Sequence, residues 1–314
     1  MSEPVVICEC FARDGLQHET ASLATADKIA AIDAFTQAGF RRIEATSYSH
    51  PDRVPAFRDA SAVLAGITRR AGVFYKATCP NPRAVGRALA DSEAGHGATE
   101  ISLLVSATES HTERNLRTTR AAQWQAVAEM VRLAQGQFRL VGVISMALGC
   151  PFEGAVDPSA VVDDAHRFAD LGVTLLSIGD TNGHATPGRV RALFRRLAAE
   201  VPSITPVAHF HNTRGTALAN CMAALEAGCR YFDSAFGGVG GHPAQIAYGH
   251  GMTGNVATED LVNLLEAEGV ATGLNPEAVL AASRLCEKLL GRELHSMVAR
   301  AGFGLLPERS AAYV

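Results

Sequence analysis

Short apolar runs of strand length alternate along this chain with longer stretches whose apolar positions recur at helical spacing. The first run, residues 5–10, ends in the polar cluster ARDGLQHE, and helical spacing follows over 25–38 up to Gly39. Residues 42–46 read as a second strand with Glu44 near its end, and 72–78 as a third, followed by a helix over 80–92. A fourth strand is expected over 99–106, with a long helix from about 121 to 135 after it. Residues 139–147 form the fifth run and lead into LGCPFEG; the next helix, 157–171, carries Pro158 just inside its start, where a missing amide proton costs nothing. The sixth run, 173–179, ends in GDTNGHATPG and precedes a helix over 187–200. The seventh, 205–210, precedes a helix over 215–227, and 230–235 is the eighth.

Eight strand-like runs alternating with helix-like runs predict an α/β fold, a (β/α)8 TIM barrel. A doubly wound dinucleotide-binding sheet would want G-x-G-x-x-G after the first strand, and residues 13–17 do not supply it. No linker-like stretch divides the chain, so residues 1–314 are expected to form one catalytic domain, with the barrel over about 4–257 and a C-terminal helical cap over about 258–314 that contains a helix at 276–290. Nearly every polar cluster lies just after a strand. In such a barrel those positions share the C-terminal mouth, where catalytic residues gather. Arg13, Asp14, Gln17, Glu44, Asp180, Thr181, His209, His211, His242 and Asn255 are therefore expected around one pocket.

Composition narrows the setting. With 47% hydrophobic and 19% charged residues the chain suits a well-cored globule, and a net charge of −4 gives no basic field for nucleic acid. Seven cysteines without a C-x-x-C pair argue against a disulfide scaffold or structural zinc cluster and for a reducing compartment. No apolar run reaches the ~18 residues of a membrane span. The opening VVICEC lacks a preceding basic segment, so a secretory peptide is not expected and the cytoplasm is.

His209 and His211 stand two apart in an extended run, so both side chains leave the same face. They are either a hydrogen-bonded pair at the barrel top or, with Asp14 and the amide oxygen of Asn255, a cation site. A mixed nitrogen and oxygen set without thiolate suits Mg²⁺ or Mn²⁺ better than structural zinc, while Zn²⁺, Co²⁺ and Fe²⁺ stay open. Arg13 beside Asp14 is a surface ion pair or a stabiliser of a developing enolate oxygen, and Gly15 reads as a tight turn. Glu44 is a rim salt-bridge partner or a pocket residue. Asp180–Thr181 either faces the pocket or caps a short turn. Cys150 reads as a buried structural thiol. His242, between Gly241 and Pro243, is exposed or catalytic, and an imidazole with its ordinary pKa near ~6.5 can move protons at neutral pH; His184 and His250 are weaker versions of the same idea.

RDGLQ at 13–17, IEATS at 43–47, LGCPFEG at 148–154, GDT…TPG at 179–188, HFHNTRGTALAN at 209–220 and GNVATEDLV at 254–262 together resemble the 3-hydroxy-3-methylglutaryl-CoA lyase family, barrel enzymes related to the isopropylmalate synthases. The resemblance implies that Asp14, His209, His211 and Asn255 bind a divalent cation, that Arg13 stabilises an enolate, and that Gln17, Glu44 and Asp180 order substrate and metal shell. Thr181 joins Gln17 as a substrate-binding candidate, and Glu44, Asp180 and His242 join Arg13 and Asp14 as catalytic ones. The implied reaction is a retro-Claisen cleavage of 3-hydroxy-3-methylglutaryl-CoA or a related 3-hydroxyacyl-CoA to acetyl-CoA and a keto acid. The implied assembly is a homodimer. The loop after the eighth strand departs from the family's pattern: it reads GVGGHP, so His242 stands where the family has a cysteine, and a longer link runs on to Asn255. That departure leaves open a citramalyl-CoA-like substrate, a CoA-free hydroxy acid cleaved by an aldolase reaction, and the reverse-type condensation of acetyl-CoA with a 2-oxo acid.

Overall fold

The structure, a computed structural model, describes residues 3–19, 23–134, 136–241 and 254–304. Eight parallel strands close into a barrel in chain order, β1 (Val6–Glu9), β2 (Arg42–Ser47), β3 (Phe74–Cys79), β4 (Glu100–Ser106), β5 (Arg139–Ser145), β6 (Leu175–Asp180), β7 (Thr205–Phe210) and β8 (Tyr231–Ser234), with β8 pairing back onto β1. Closure removes both sheet edges, and helices cover the outer face, so the strands are buried on both sides. The expected (β/α)8 barrel is therefore the observed one.

Helices α1 (Thr25–Ala38), α2 (Ala60–Gly66), α3 (Pro82–Glu93), α4 (Glu109–Leu116), α5 (Arg120–Ala134), α6 (Pro158–Asp170), α7 (Pro187–Glu200) and α8 (Ala217–Glu226) occupy the crossovers. Their starts follow from sequence. Asn81 and Asp157 accept hydrogen bonds from the amides of Ala84 and Ser159, and each is followed by a proline at the first helical position. Gly39 ends α1 with φ +104°, a left-handed conformation that glycine adopts without penalty. Two helices have no counterpart among the expected elements. α2 is only seven residues long, so its buried Ala60, Val63 and Leu64 make a stripe of barely two turns, and α4 (ESHTERNL) is polar almost throughout, burying only His111 and Thr112.

Beyond the barrel, α9 (Thr258–Ala267), α10 (Pro276–Leu290) and the short α11 (Val298–Ala301) form a C-terminal helical cap. The cap is tied to the barrel through Val5 N–H to Ala271 O (3.1 Å) and Asn275 N–H to Ala38 O (3.0 Å). Four phenylalanines lock the layer between them: Phe35 lies 6.0, 6.4 and 5.0 Å, centroid to centroid, from Phe11, Phe40 and Phe236. Aromatic pairs of this kind contribute about 0.5–1.5 kcal/mol each beyond their buried area. Phe11 precedes the Arg13–Asp14 turn and Phe236 follows β8, so this cluster fixes the roots of two loops at the mouth.

Candidate active site

Inside a barrel only alternate residues of each strand point to the axis. On β2 and β3 these are Arg42, Glu44, Lys76 and Thr78; on β7 and β8 they are Val207, His209, Tyr231 and Asp233. A cavity of about 80 Å³ opens at the C-terminal ends, lined among others by Arg13, Asp14, Gln17, Glu44, Thr181, His209, His211 and Gly241. Seven of the residues singled out from sequence thus meet at one place.

Asp14 lies in a single π-helical turn, Phe11–Gly15, directly after β1. The role expected of Gly15 needs correction. Its backbone is ordinary right-handed helix (φ −56°, ψ −49°), and what excludes a side chain is space, because a Cβ would stand 2.7 Å from Val239 Cγ2. His211 sits just past β7 and pairs as an antiparallel bridge with Asn255, while Val256 N–H bonds Phe210 O at 3.0 Å. That bridge brings a residue far along the chain beside Asp14: Asn255 Nδ2 donates to Asp14 Oδ2 (2.6 Å) and Val239 O (3.0 Å). Gly240 permits this, since a Cβ there would lie 2.5 Å from Asn255 Nδ2 and 3.2 Å from Asp14 Oδ2.

The donor set fits a divalent cation. Ligand atoms of Asp14, His209 and His211 lie within 4.8 Å of one another, with the two Nε2 atoms 3.3 Å apart. Asn255 Oδ1 is buried and has no hydrogen-bond partner among the described residues. Asp233 Oδ2 lies 3.2 Å from His209 Nδ1, which places the proton on Nδ1 and the lone pair on Nε2, the arrangement that orients a metal-binding imidazole. Burial alone would raise the Asp14 carboxyl, but Arg13 and the two histidines hold it down at about 2, so it is an anion. Burial would lower the His209 pKa, and the bond to Asp233 with the charge of Asp14 raises it instead.

Arg13 Nη1 lies 3.1 Å from Asp14 Oδ1 and its Nε 3.8 Å from Glu44 Oε1. Glu44 also accepts from Thr78 Oγ1 at 2.7 Å and lies 3.6 Å from Lys76 Nζ, so it belongs to the cavity wall rather than to a solvent-exposed rim. Thr181 lines the cavity while its Oγ1 accepts from Met146 N–H (3.0 Å), steadying a residue held at φ +59°. Asp180 departs from expectation. Strand alternation sends it outward, and its two oxygens accept the amides of His184 (2.9 Å) and Ala185 (3.0 Å), so it shapes the loop after β6. Burial raises its carboxyl to about 6 against those two bonds. Cys150 is buried and accepts from Thr108 Oγ1 at 3.3 Å, a structural thiol as expected. His242 and His250 lie outside the described residues; Gly241, the neighbour of His242, lines the cavity.

Sequence reasoning missed Lys76, Asp233, Ser102, His111 and Asn115, all of which line the cavity. Lys76 and Asp233 are single charges within apolar strand runs, at the inward phase of each strand, and that phase was the available signal. Cys8 and Cys10 also group with Asp233. The Cys10 thiol is pushed well up by its contact with Cys8 and by burial, and Arg42 and Lys76 already face Asp233, so this group does not suit a hard cation. A second, wider cavity of about 570 Å³ shares Arg13, Gln17, Thr78, Leu104 and Asn115 with the first, and its outer wall carries His50, Arg53, Arg114 and Arg117.

A barrel whose C-terminal mouth holds a carboxylate, two imidazoles and an amide oxygen around one point, with an arginine alongside, defines a cation-assisted barrel enzyme acting on an oxygen-bearing substrate. Residues 4–286 match the HMGL-like family model, and the chain belongs to that family of carbon–carbon lyases, whose members depend on a divalent metal. It is 37% identical to the hydroxymethylglutaryl-CoA lyase of Bacillus subtilis over 93% of this chain and 95% of that one. It is also 37% identical to the 3-hydroxy-3-isohexenylglutaryl-CoA/hydroxymethylglutaryl-CoA lyase of Pseudomonas aeruginosa, over 96% and 98%. The structure of an HMG-CoA lyase from Acinetobacter baumannii in complex with coenzyme A and 3-methylmalate superposes with a TM-score of 0.90 at 35% identity, covering 98% of this chain and 99% of that one.

Proposed function

We propose that the protein cleaves 3-hydroxy-3-methylglutaryl-CoA, or a closely related 3-hydroxyacyl-CoA, to acetyl-CoA and a keto acid, with Mg²⁺ or Mn²⁺ held by Asp14, His209, His211 and Asn255. The convergence of these four residues beside Arg13 carries the reading. When bound, the cation would orient the tertiary hydroxyl of the substrate and lower the cost of removing its proton.

The chain's own groups do the rest. As a base takes the hydroxyl proton, the bond between C2 and C3 breaks, C3 becomes a ketone, and the bonding pair moves into the thioester as an acetyl-CoA enolate. Negative charge grows on the thioester oxygen, and Arg13, held by Asp14 with Glu44 nearby, offers a fixed cation for it. Glu44, fixed in turn by Thr78, orders the substrate. The enolate then takes a proton at carbon. His242 is the proposed donor, as the imidazole that stands where the family has a cysteine, one residue beyond the cavity-lining Gly241.

The wider cavity favours a CoA thioester over a free hydroxy acid. His50, Arg53, Arg114 and Arg117 present cationic and hydrogen-bonding groups at its outer wall, suited to phosphate and pyrophosphate, which a CoA-free substrate would leave unused. Family likeness supports a homodimer, and seven free, buried cysteines support the reducing conditions of the cytoplasm. A panel of 3-hydroxyacyl-CoA esters and free hydroxy acids, assayed with Mn²⁺, tests the assignment. Acetyl-CoA release from a branched 3-hydroxyglutaryl thioester is expected; cleavage restricted to free hydroxy acids would overturn it.

A further inference from the structure

Buried charges fill the barrel interior beneath the cation cup. Arg42 is bound bidentately by Glu100, Nη2 donating to Oε1 (2.7 Å) and Nε to Oε2 (3.2 Å); Glu100 also has Arg139 at 3.5 Å, and Arg42 Nη1 lies 3.7 Å from Asp233 Oδ1. Lys76 Nζ stands 4.0 Å from Asp233 Oδ2 and 3.6 Å from Glu44 Oε1. Asp233 Oδ2 also accepts from Ser177 Oγ (3.2 Å), and its Oδ1 has no hydrogen-bond partner among the described residues. Asp233, Lys76, Arg42 and Glu44 are all at most 3% exposed.

Stability does not account for such an interior. Each buried ion costs several kcal/mol of lost hydration, and well-packed apolar groups in its place are often neutral or stabilising. One feature separates this network from inert core ion pairs. Asp233 touches His209, and Lys76 touches both Asp233 and Glu44, so a single cation joins the side chain that orients a metal-binding imidazole to the one that orders substrate. We propose that Asp233 and Lys76 are positioning residues of the active site: Asp233 holds His209 with Nε2 turned toward Asp14 and His211, and Lys76 ties Asp233 to Glu44.

This proposal rests on the cation-dependent reading above, and the test separates the two. Free Mn²⁺ is measured by electron paramagnetic resonance against the full-length wild-type protein, Asp233→Asn and Lys76→Met, with melting midpoints and far-ultraviolet circular dichroism taken alongside. Wild type that binds no Mn²⁺ would end the cation reading itself. Given wild-type binding, Asp233→Asn is expected to lose about 10- to 100-fold in Mn²⁺ affinity, the range seen when an outer partner of a metal-binding histidine is removed, with circular dichroism unchanged. Wild-type affinity in Asp233→Asn overturns the role of Asp233. Lys76→Met is expected to lower both Mn²⁺ affinity and kcat, because both carboxylates lose their shared cation; a fall in only one of the two overturns the tie. Where a single variant does not fold, Lys76→Met/Asp233→Asn, which removes one buried charge of each sign, takes its place. The same loss of affinity is expected, and retention overturns the proposal.

Discussion

The first four strands turn Arg42, Glu44, Lys76 and Glu100 toward the barrel axis, whereas the last four close the opposite floor with Val141, Leu175, Val207 and the half-buried Tyr231 before reaching Ser177, His209 and Asp233 nearer the mouth. The wide cavity with Arg53, Arg114 and Arg117 also opens over loops of the first half. Charge that gives little net stability is therefore concentrated in the first half, joined by Arg139 and Asp233 from the second, while apolar contact that does stabilise is concentrated in the second half's floor. The site lies where they meet: Asp14 and Arg13 come from the charged side, His209 and His211 from the apolar one.

Substitutions on the two sides should separate activity from stability. The largest effect is expected for His211→Ala, which removes an imidazole from the proposed cation site. Titration with Mn²⁺ should show loss of binding beyond the roughly 10- to 100-fold that removing an outer partner costs, with turnover lost in parallel. Next is Arg13→Gln, for which kcat should fall by about 10²–10³-fold while Mn²⁺ affinity changes little, as for loss of one stabiliser of a developing oxyanion. Leu175→Ala reverses the pattern: chemical denaturation should show about 2–4 kcal/mol less stability, from lost burial and the cavity left behind, with turnover kept under native conditions. A turnover loss in Leu175→Ala as large as that in Arg13→Gln would dissolve the distinction.

The smallest effect is a pH dependence outside the barrel wall. Glu9 accepts from the amides of Phe11 (2.8 Å) and Phe236 (3.1 Å) and from Thr258 Oγ1 (2.6 Å), and Glu259 accepts from the Gly237 amide (2.9 Å) and from Ser283. Burial raises the two carboxyls to about 8 and about 7, against these bonds. Ionisation is thus harder in the folded chain than in the unfolded one. Their contribution to stability is full below the ordinary value of 4.5 and is lost as pH rises through about 7 and 8. Melting midpoints should fall across that window, and Glu9→Gln, neutral throughout, should flatten part of the fall. An unchanged slope in Glu9→Gln would remove Glu9 from the account.

Much of this was legible in the chain. Eight apolar runs gave the strands to within a residue or two at most ends, because strands buried on both faces read as continuous apolar segments. The polar clusters after those runs led to Arg13, Asp14, Glu44, His209 and His211. Strand phase was the weak point. Asp180 closes a strand and looks like a mouth residue, yet it is one position out of phase with Gly179 and Thr181 and faces the helices. Lys76 and Asp233 are in phase but lie inside apolar runs, where a single charge is easily passed over. Asn255 was legible in the chain, but the bridge to His211 that carries it beside Asp14 is a long-range contact that no local pattern encodes. For His242, the expected proton donor, turnover should fall far more than Mn²⁺ affinity in His242→Ala, and equal turnover would mark it as a bystander.

The central claim is that one cation cup and one arginine cleave a carbon–carbon bond in an acyl-CoA. Incubation of the Mn²⁺-loaded protein with 3-hydroxy-3-methylglutaryl-CoA, with acetyl-CoA and acetoacetate quantified together, tests it most directly. Equal amounts of both products, abolished by chelation and restored by Mn²⁺, are predicted. Protein that binds Mn²⁺ yet releases no acetyl-CoA from this or any related 3-hydroxyacyl-CoA would contradict it.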